Sequence, residues 1–194
     1  YLDEIKILQN IKRFGGTSAG AITALVVGLG YTVNELEKIT KEAPFRNFSD
    51  DDFGFIRDSI RLLYDGYGKY KGENFNKWIG KIIEDKGFGK DITFQELYEK
   101  TGKEVYIQGT NVSTHSIETF SHRHTPEMPV AKAVRISISI PFYFKSIEWK
   151  GSWYIDGGIL DNYPIELFDW KSFVSQKENF RSTKIDKNAN ELLR

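Results

Sequence analysis

The chain contains no cysteine, which excludes disulfides, thiolate zinc sites and a cysteine nucleophile. Any nucleophile here is an oxygen or a lysine. It also lacks net charge, because 27 basic and 27 acidic residues cancel. There is no electrostatic footprint for nucleic acid, and none is expected as a partner. A membrane span is lacking too. The run between Arg13 and Glu35 carries no charge, but its five glycines, with Thr17, Ser18, Thr23 and Thr32, suit a buried helix preceded by a turn. No glycine-rich phosphate loop ending in Gly-Lys-Ser/Thr occurs, so nucleotide hydrolysis has no support. What is present is 194 residues, 40% hydrophobic and 14% aromatic, enough to bury one core in one domain. The first residue is Tyr1 rather than Met, so the sequence is expected to be part of a longer protein, with any targeting segment upstream.

The most informative stretch is Gly16-Thr17-Ser18-Ala19-Gly20. It follows the strand-like run Lys12-Arg13-Phe14 and opens an apolar, helix-like run from Ala21 to Leu29. A hydrolase holds a nucleophilic serine in this way, on a sharp strand-to-helix turn whose flanking glycines remove clashing Cβ atoms. The hydroxyl then stands beside the positive end of a helix dipole, which favours the negative charge that develops during attack on a carbonyl. Gly16, Ala19 and Gly20 are the candidate elbow and oxyanion-donor positions.

The surrounding pattern is α/β. Leu2, Ile5, Leu8 and Ile11 recur at helical spacing before the elbow. Thr32 with Glu35, and Thr93 with Glu96, have capping-box spacing for helices ending near Ala43 and Gly102. Phe53, Ile56, Ile60, Leu63 and Tyr67 form one helical stripe, and Phe75, Trp78, Ile79, Ile82 and Ile83 another. Glu104 to Gln108 alternates as a strand, with Ser116 to Phe120 as its candidate neighbour. Ala131 to Ile138 reads equally as helix or strand. Ile147 to Trp149 and Trp153 to Ile155 read as a hairpin whose second strand delivers Asp156-Gly157-Gly158. The segment 171–194 is polar and carries no functional signal.

A serine hydroxyl needs a base. The histidines, His115, His122 and His124, all lie in a polar stretch from Ser113 to Pro129 that reads as an exposed loop, and none follows Asp161. The chain order Ser, Asp, His of the α/β-hydrolases is therefore disfavoured. His122-Arg123-His124 could present two imidazoles on one face, but no third metal ligand accompanies them, and a solvated loop is expected. Asp156 is the better candidate. A carboxylate at the end of a hairpin strand, followed by two glycines, can approach another backbone turn closely. A free aspartate, with a pKa near ~3.9, is a weak base at neutral pH, so desolvation beside Phe14, Ile155 or Ile159 is expected to raise it. Taken alone, Asp-Gly-Gly reads first as a turn, and its pairing with the elbow shifts that balance. Gly66 to Gly72 and the aromatic-rich stretch from Phe45 to Trp78 read first as a connection and as core, with lipid contact or an acyl channel as the alternatives.

The two motifs in this order, with Ala131 to Phe142 and Tyr154 to Pro164, resemble the patatin-like phospholipase family over roughly Leu2 to Phe168. The resemblance implies a patatin-like α/β fold, with a mostly parallel central sheet flanked by helices, as a catalytic domain over 1–170 followed by the polar segment 171–194. It implies a Ser18–Asp156 dyad with Gly157 and Gly158 shaping the aspartate loop, hydrolysis of acyl esters of phospholipids or neutral lipids, and neither catalytic metal nor cofactor. The substrate is then an acyl lipid met at a membrane or micelle surface, and the protein is cytoplasmic or peripheral to a membrane. The family's glycine-rich oxyanion loop lies about one helix upstream of the elbow. Tyr1 already stands in that helix, so the loop is expected outside this sequence. The alternatives on the same fold are a non-catalytic lipid-binding or regulatory module and a soluble esterase or thioesterase.

Overall fold

The structure, a computed structural model, describes residues 10–43 and 71–169. The chain divides into two compact units, Tyr1–Tyr163 and Pro164–Arg194. In the second, a short 3-10 helix, Ile165–Phe168, follows Pro164. The expected helices over the first ten residues and over Phe53 to Tyr67, most of the Gly66 to Gly72 connection, and the polar segment 171–194 lie outside the described residues.

In the first unit, strand β1 (Arg13–Gly16) leads into helix α1 (Ala19–Gly28), then α2 (Val33–Glu42), α3 (Glu73–Asp85) and α4 (Phe94–Thr101). Strands β2 (Glu104–Asn111) and β3 (Ser116–Phe120) follow, then α5 (Val130–Ser137) and the hairpin β4 (Ile147–Trp149) and β5 (Ser152–Asp156). Both expected capping boxes form. Thr32 and Thr93 each accept the backbone N–H of the glutamate three residues on, and that glutamate takes the threonine's own N–H. Gly102 closes α4 in the left-handed region, at φ 65°, where only glycine sits at no cost. In the β4–β5 turn both Lys150 and Gly151 have positive φ, as tight hairpins require.

The sheet is mixed. The β1–β2 pair is parallel because a long, helix-bearing crossover joins these strands, with α1 to α4 among its described residues, while β2–β3 and β4–β5 are antiparallel because short connections join them. Strand β2 is central, and its residues are buried without alternation. Its odd positions face helices: a Cβ on Gly28 of α1 would lie 2.4 Å from Val105, and one on Gly109 would lie 2.7 Å from Ile136 of α5. Its even positions are covered as well, Tyr106 lying edge-on to the rings of His122 and His124. The alternation expected for Glu104 to Gln108 therefore gives way to burial on both faces. Helix α1 contributes Ala21, Ala24, Leu25 and Val26 to the core, joined by Phe75, Ile79 and Ile83 of α3 and by Val130, Ala133, Val134 and Ile136 of α5. The ambiguous stretch from Ala131 to Ile138 is helical.

One feature of the register positions the site. Ile107 pairs with both Gly16 of β1 and Phe120 of β3, and Gly109 with both Glu118 of β3 and Asp156 of β5. A strand has two edges, so β1 and β5 share the edge opposite β3. Strand β1 runs parallel to β2 and β5 antiparallel, so their C-terminal ends point at each other with only Gln108 between them.

Candidate active site

At this junction β1 hands over to α1 and β5 to a 3-10 turn over Gly157–Ile159. Ser18 takes φ 54° and ψ −123°, a conformation that costs a residue with a side chain roughly 1–3 kcal/mol. Its side chain does not cap α1. Instead its Oγ donates to Oδ2 of Asp156 at 2.8 Å. The motifs at Ser18 and Asp156, 138 residues apart, are thus brought into direct contact.

Asp156 is 4% exposed and held from four directions. Its N–H donates to the Ser139 carbonyl at 2.9 Å, and its own carbonyl accepts from Thr110 Oγ1 at 2.9 Å. Oδ1 accepts the Gly158 N–H at 2.7 Å, which leaves Oδ2 to Ser18. Burial raises the carboxyl above the ordinary aspartate value, and the hydrogen bonds from Gly158 and Ser18 oppose that rise only in part. Desolvation thus moves the carboxyl in the expected direction, toward greater basicity.

The glycines separate into those the geometry needs and one it does not. A Cβ on Gly16 would lie 2.2 Å from the Gly20 carbonyl oxygen, and one on Gly157 2.6 Å from that of Gln108 and 2.8 Å from Thr17 Cγ2. At Gly158 it would meet Asn162 Oδ1 at 2.8 Å and Asp156 Oδ1 at 3.0 Å. At Gly20 it would meet nothing within 4 Å, because that position, in the first turn of α1, is exposed. The expected steric role holds for Gly16 and fails for Gly20.

The donors also sort differently from expectation. The Gly20 N–H closes a turn onto the Thr17 carbonyl at 2.9 Å, so it is not an oxyanion donor. The Ser18 N–H donates to Ser137 Oγ at 2.9 Å. The Ala19 N–H, at the first position of α1, has no acceptor among the described residues, and it points out of a helix end whose first turn carries no acidic residue.

Sequence reasoning missed the support beneath the pair. Ser137 and Ser139 sit at the end of α5 and just beyond it. Ser137 anchors the elbow amide, and the Ser139 carbonyl anchors that of Asp156. Thr17 Oγ1 donates to Gln108 Oε1 at 3.2 Å across the gap between β1 and β5. The only sequence signal was the alternation of serines in Arg135 to Ile140. The histidines lie elsewhere. His124 Nδ1 is 2.7 Å from the hydroxyl of buried Ser121. His122 stacks on Tyr98 at 4.2 Å, and burial lowers its pKa. His122 is thus packed against aromatic rings rather than solvated.

A family model described as Patatin-like phospholipase matches residues 1–169. The chain is 36% identical over 161 residues to an uncharacterized protein of Acanthamoeba polyphaga mimivirus, covering 83% of this chain and 52% of that protein. It is 34% identical over 169 residues to YqhO of Bacillus subtilis (strain 168), covering 81% and 56%. A protein of Invertebrate iridescent virus 6 named "Probable lipid hydrolase" is 29% identical over 172 residues, covering 86% and 56%. The chain therefore spans about half the length of these relatives. Among solved structures, VipD from Legionella pneumophila shares the fold with a TM-score of 0.59 at 20% identity, over 84% of this chain and 43% of that chain. The family match over nearly the whole described region, with both motifs at one strand junction, leads to one conclusion: this chain belongs to the patatin-like phospholipase family.

Proposed function

We propose that the protein hydrolyses acyl esters of phospholipids, in the manner of a phospholipase A, through a Ser18–Asp156 dyad. The observation that carries this reading is the 2.8 Å hydrogen bond from Ser18 Oγ to a buried Asp156 carboxylate of raised pKa. Ser18 Oγ attacks the ester carbonyl carbon while its proton passes to Asp156 Oδ2. The Ala19 N–H and the positive end of α1 stabilise the oxyanion of the tetrahedral intermediate. The intermediate collapses to an acyl-serine as the Asp156 proton goes to the departing alcohol oxygen of the lysolipid. Water then gives a proton to Asp156 and attacks the acyl carbon, and the second tetrahedral intermediate releases the fatty acid as Asp156 returns that proton to Ser18 Oγ. The dyad carries each proton transfer itself, and the reaction is calcium-independent.

The surroundings support an interfacial substrate. The loop after Ser139 exposes Ile140, Phe142 and Tyr143, and the loop after Gly158 exposes Ile159, Leu160 and Tyr163, with Phe142 71% and Tyr163 77% accessible. Ser139 is bonded to Asp156, so both apolar loops start beside Asp156, and their exposed side chains suit a lipid surface. No helix among the described residues is long and apolar enough to cross a membrane. The association proposed, on the exposed apolar side chains, is peripheral.

The test is incubation with phosphatidylcholine vesicles in the presence of a calcium chelator, with mass-spectrometric detection of free fatty acid and lysophospholipid. Both products should form, and Ser18→Ala and Asp156→Asn should each slow them by ~10³-fold or more. Vesicle binding by folded wild-type protein without either product would replace this reading with a non-catalytic lipid-binding module.

A further inference from the structure

Away from the dyad, α3, α5 and the loop before α4 enclose a cleft of about 620 Å³. That volume lies within the ~300–1,000 Å³ typical of sites for small ligands. Its lining is electrostatically one-sided. Lys77, Lys81, Lys90, Lys132 and Arg135 meet there, opposed by only Glu84 and Asp91. A surplus of three positive charges thus gathers in one concavity of a chain whose formal charge is zero.

These cations are arranged rather than scattered. Lys77 and Lys81 stand one turn apart on α3, and Lys132 and Arg135 three residues apart on α5, so each pair shares a helix face. Lys77, Lys81, Lys90 and Lys132 form no ion pair among the described residues. Lys132 Nζ is held 4.3 Å over the ring of Trp149. Arg135 is 2% exposed and fixed in place. Its Nη1 donates to Ser139 Oγ at 2.6 Å, its Nη2 to the Lys71 carbonyl at 2.8 Å, and its guanidinium lies 4.5 Å over the ring of Phe144. Lysines on an ordinary solvated face alternate with acids. Here four of them converge on a concave surface with a rigid cationic residue in its lining, where low-dielectric walls concentrate the potential.

We propose that this cleft is a binding site for a multiply phosphorylated ligand of headgroup size. Phosphate is the anion whose charge matches the surplus, since each phosphomonoester carries ≈ −1.5 to −2, and lysine ammonium groups bind it as point charges from several directions. The shared chemistry is a ring or chain bearing two or more phosphates, either on a membrane lipid or free in solution. The site does not depend on the hydrolase reading.

The two sources separate in one experiment. The protein is cosedimented with phosphatidylcholine vesicles that contain or lack phosphatidylinositol bisphosphate, and titrated calorimetrically with soluble inositol hexakisphosphate. The double variant Lys77→Glu/Lys81→Glu changes two exposed side chains and should leave the thermal midpoint and labelling of Ser18 by a fluorophosphonate unchanged, while lowering affinity by ~10-fold or more through like-charge repulsion. Lys77→Arg/Lys81→Arg should retain it. Loss of the vesicle preference in the charge-reversal variant identifies a lipid headgroup, and loss of calorimetric binding identifies a soluble ligand. No binding of either probe by wild-type protein, or binding equal in the folded charge-reversal variant, overturns the proposal.

Discussion

The two glycines that frame Ser18 occupy equivalent places in the motif, yet the structure predicts opposite outcomes for substituting them with alanine. At Gly16 the new methyl would stand 2.2 Å from the Gly20 carbonyl oxygen, where ordinary contact begins at 3.4 Å. That oxygen cannot simply retreat, because the Gly20 N–H is bonded to Thr17 and the Ala21 N–H to Ser18. The elbow must open by roughly an ångström, which costs about 1–3 kcal/mol as overpacking. A displacement of that size at the nucleophile costs ~10²-fold in rate. At Gly20 the methyl meets nothing within 4 Å, and the backbone φ is not positive. Gly20→Ala should therefore stabilise α1 by roughly 0.5–1 kcal/mol, raising Tm by about 1–4 °C. Thermal unfolding followed by circular dichroism, with the rate of fluorophosphonate labelling at Ser18, reads both effects. Gly16→Ala with wild-type stability and labelling, or a Gly20→Ala that is the more damaging of the two, would refute the steric argument.

Three further outcomes follow from the same geometry. Because burial raises the Asp156 pKa, activity should fall on acidification with a midpoint above 3.8, the ordinary aspartate value. The folded pKa lies above the unfolded one, so the stability contributed by the protonated carboxyl is present below the unfolded pKa and is lost as pH rises through the folded pKa. Asp156→Asn should accordingly gain in Tm relative to wild type between acid and neutral pH, and a gap independent of pH would argue against desolvation. Ser137→Ala removes the acceptor of the Ser18 N–H, and leaving that amide unsatisfied should cost about 1–3 kcal/mol. An unchanged denaturation midpoint would mean that the amide has found another acceptor. Phe142→Glu should weaken partition onto phosphatidylcholine vesicles by ~10-fold or more, from the loss of one exposed aromatic side chain that the vesicle would bury. Hydrolysis of a soluble short-chain ester should continue at the wild-type rate, and equal losses on both substrates would place Phe142 in the active site rather than on the docking rim.

What the sequence made legible was local or periodic. The Thr32 and Thr93 capping boxes lie within four residues of their partners, so chain order alone specifies them. The elbow and the Asp-Gly-Gly turn are compact, chemically distinctive motifs, and both partners of the Ser18–Asp156 hydrogen bond could be named before their contact was known. Strand β2 was legible as a strand but not as a central one, since its even face is covered by residues such as His122 at Tyr106 and Thr17 at Gln108, which only the fold brings back. Of the three histidines only His122 departs from the expected exposure, for the same reason, while His115 and His124 are exposed. Stacking of His122 on Tyr98 leaves no trace in local composition. Ser137 escaped notice because its hydroxyl serves a backbone N–H 119 residues away. Gly16 and Gly20, alike in the motif, are separated only by which of them has a carbonyl oxygen in front of it.

Covalent labelling reads out whether Ser18 is an activated nucleophile. The protein is treated with a fluorophosphonate probe and analysed by intact mass and peptide mapping, with Ser18→Ala and Asp156→Asn alongside. One adduct is expected, on Ser18, absent from Ser18→Ala and formed far more slowly in Asp156→Asn. Folded wild-type protein that takes no adduct, or takes it on another serine, would contradict an activated Ser18.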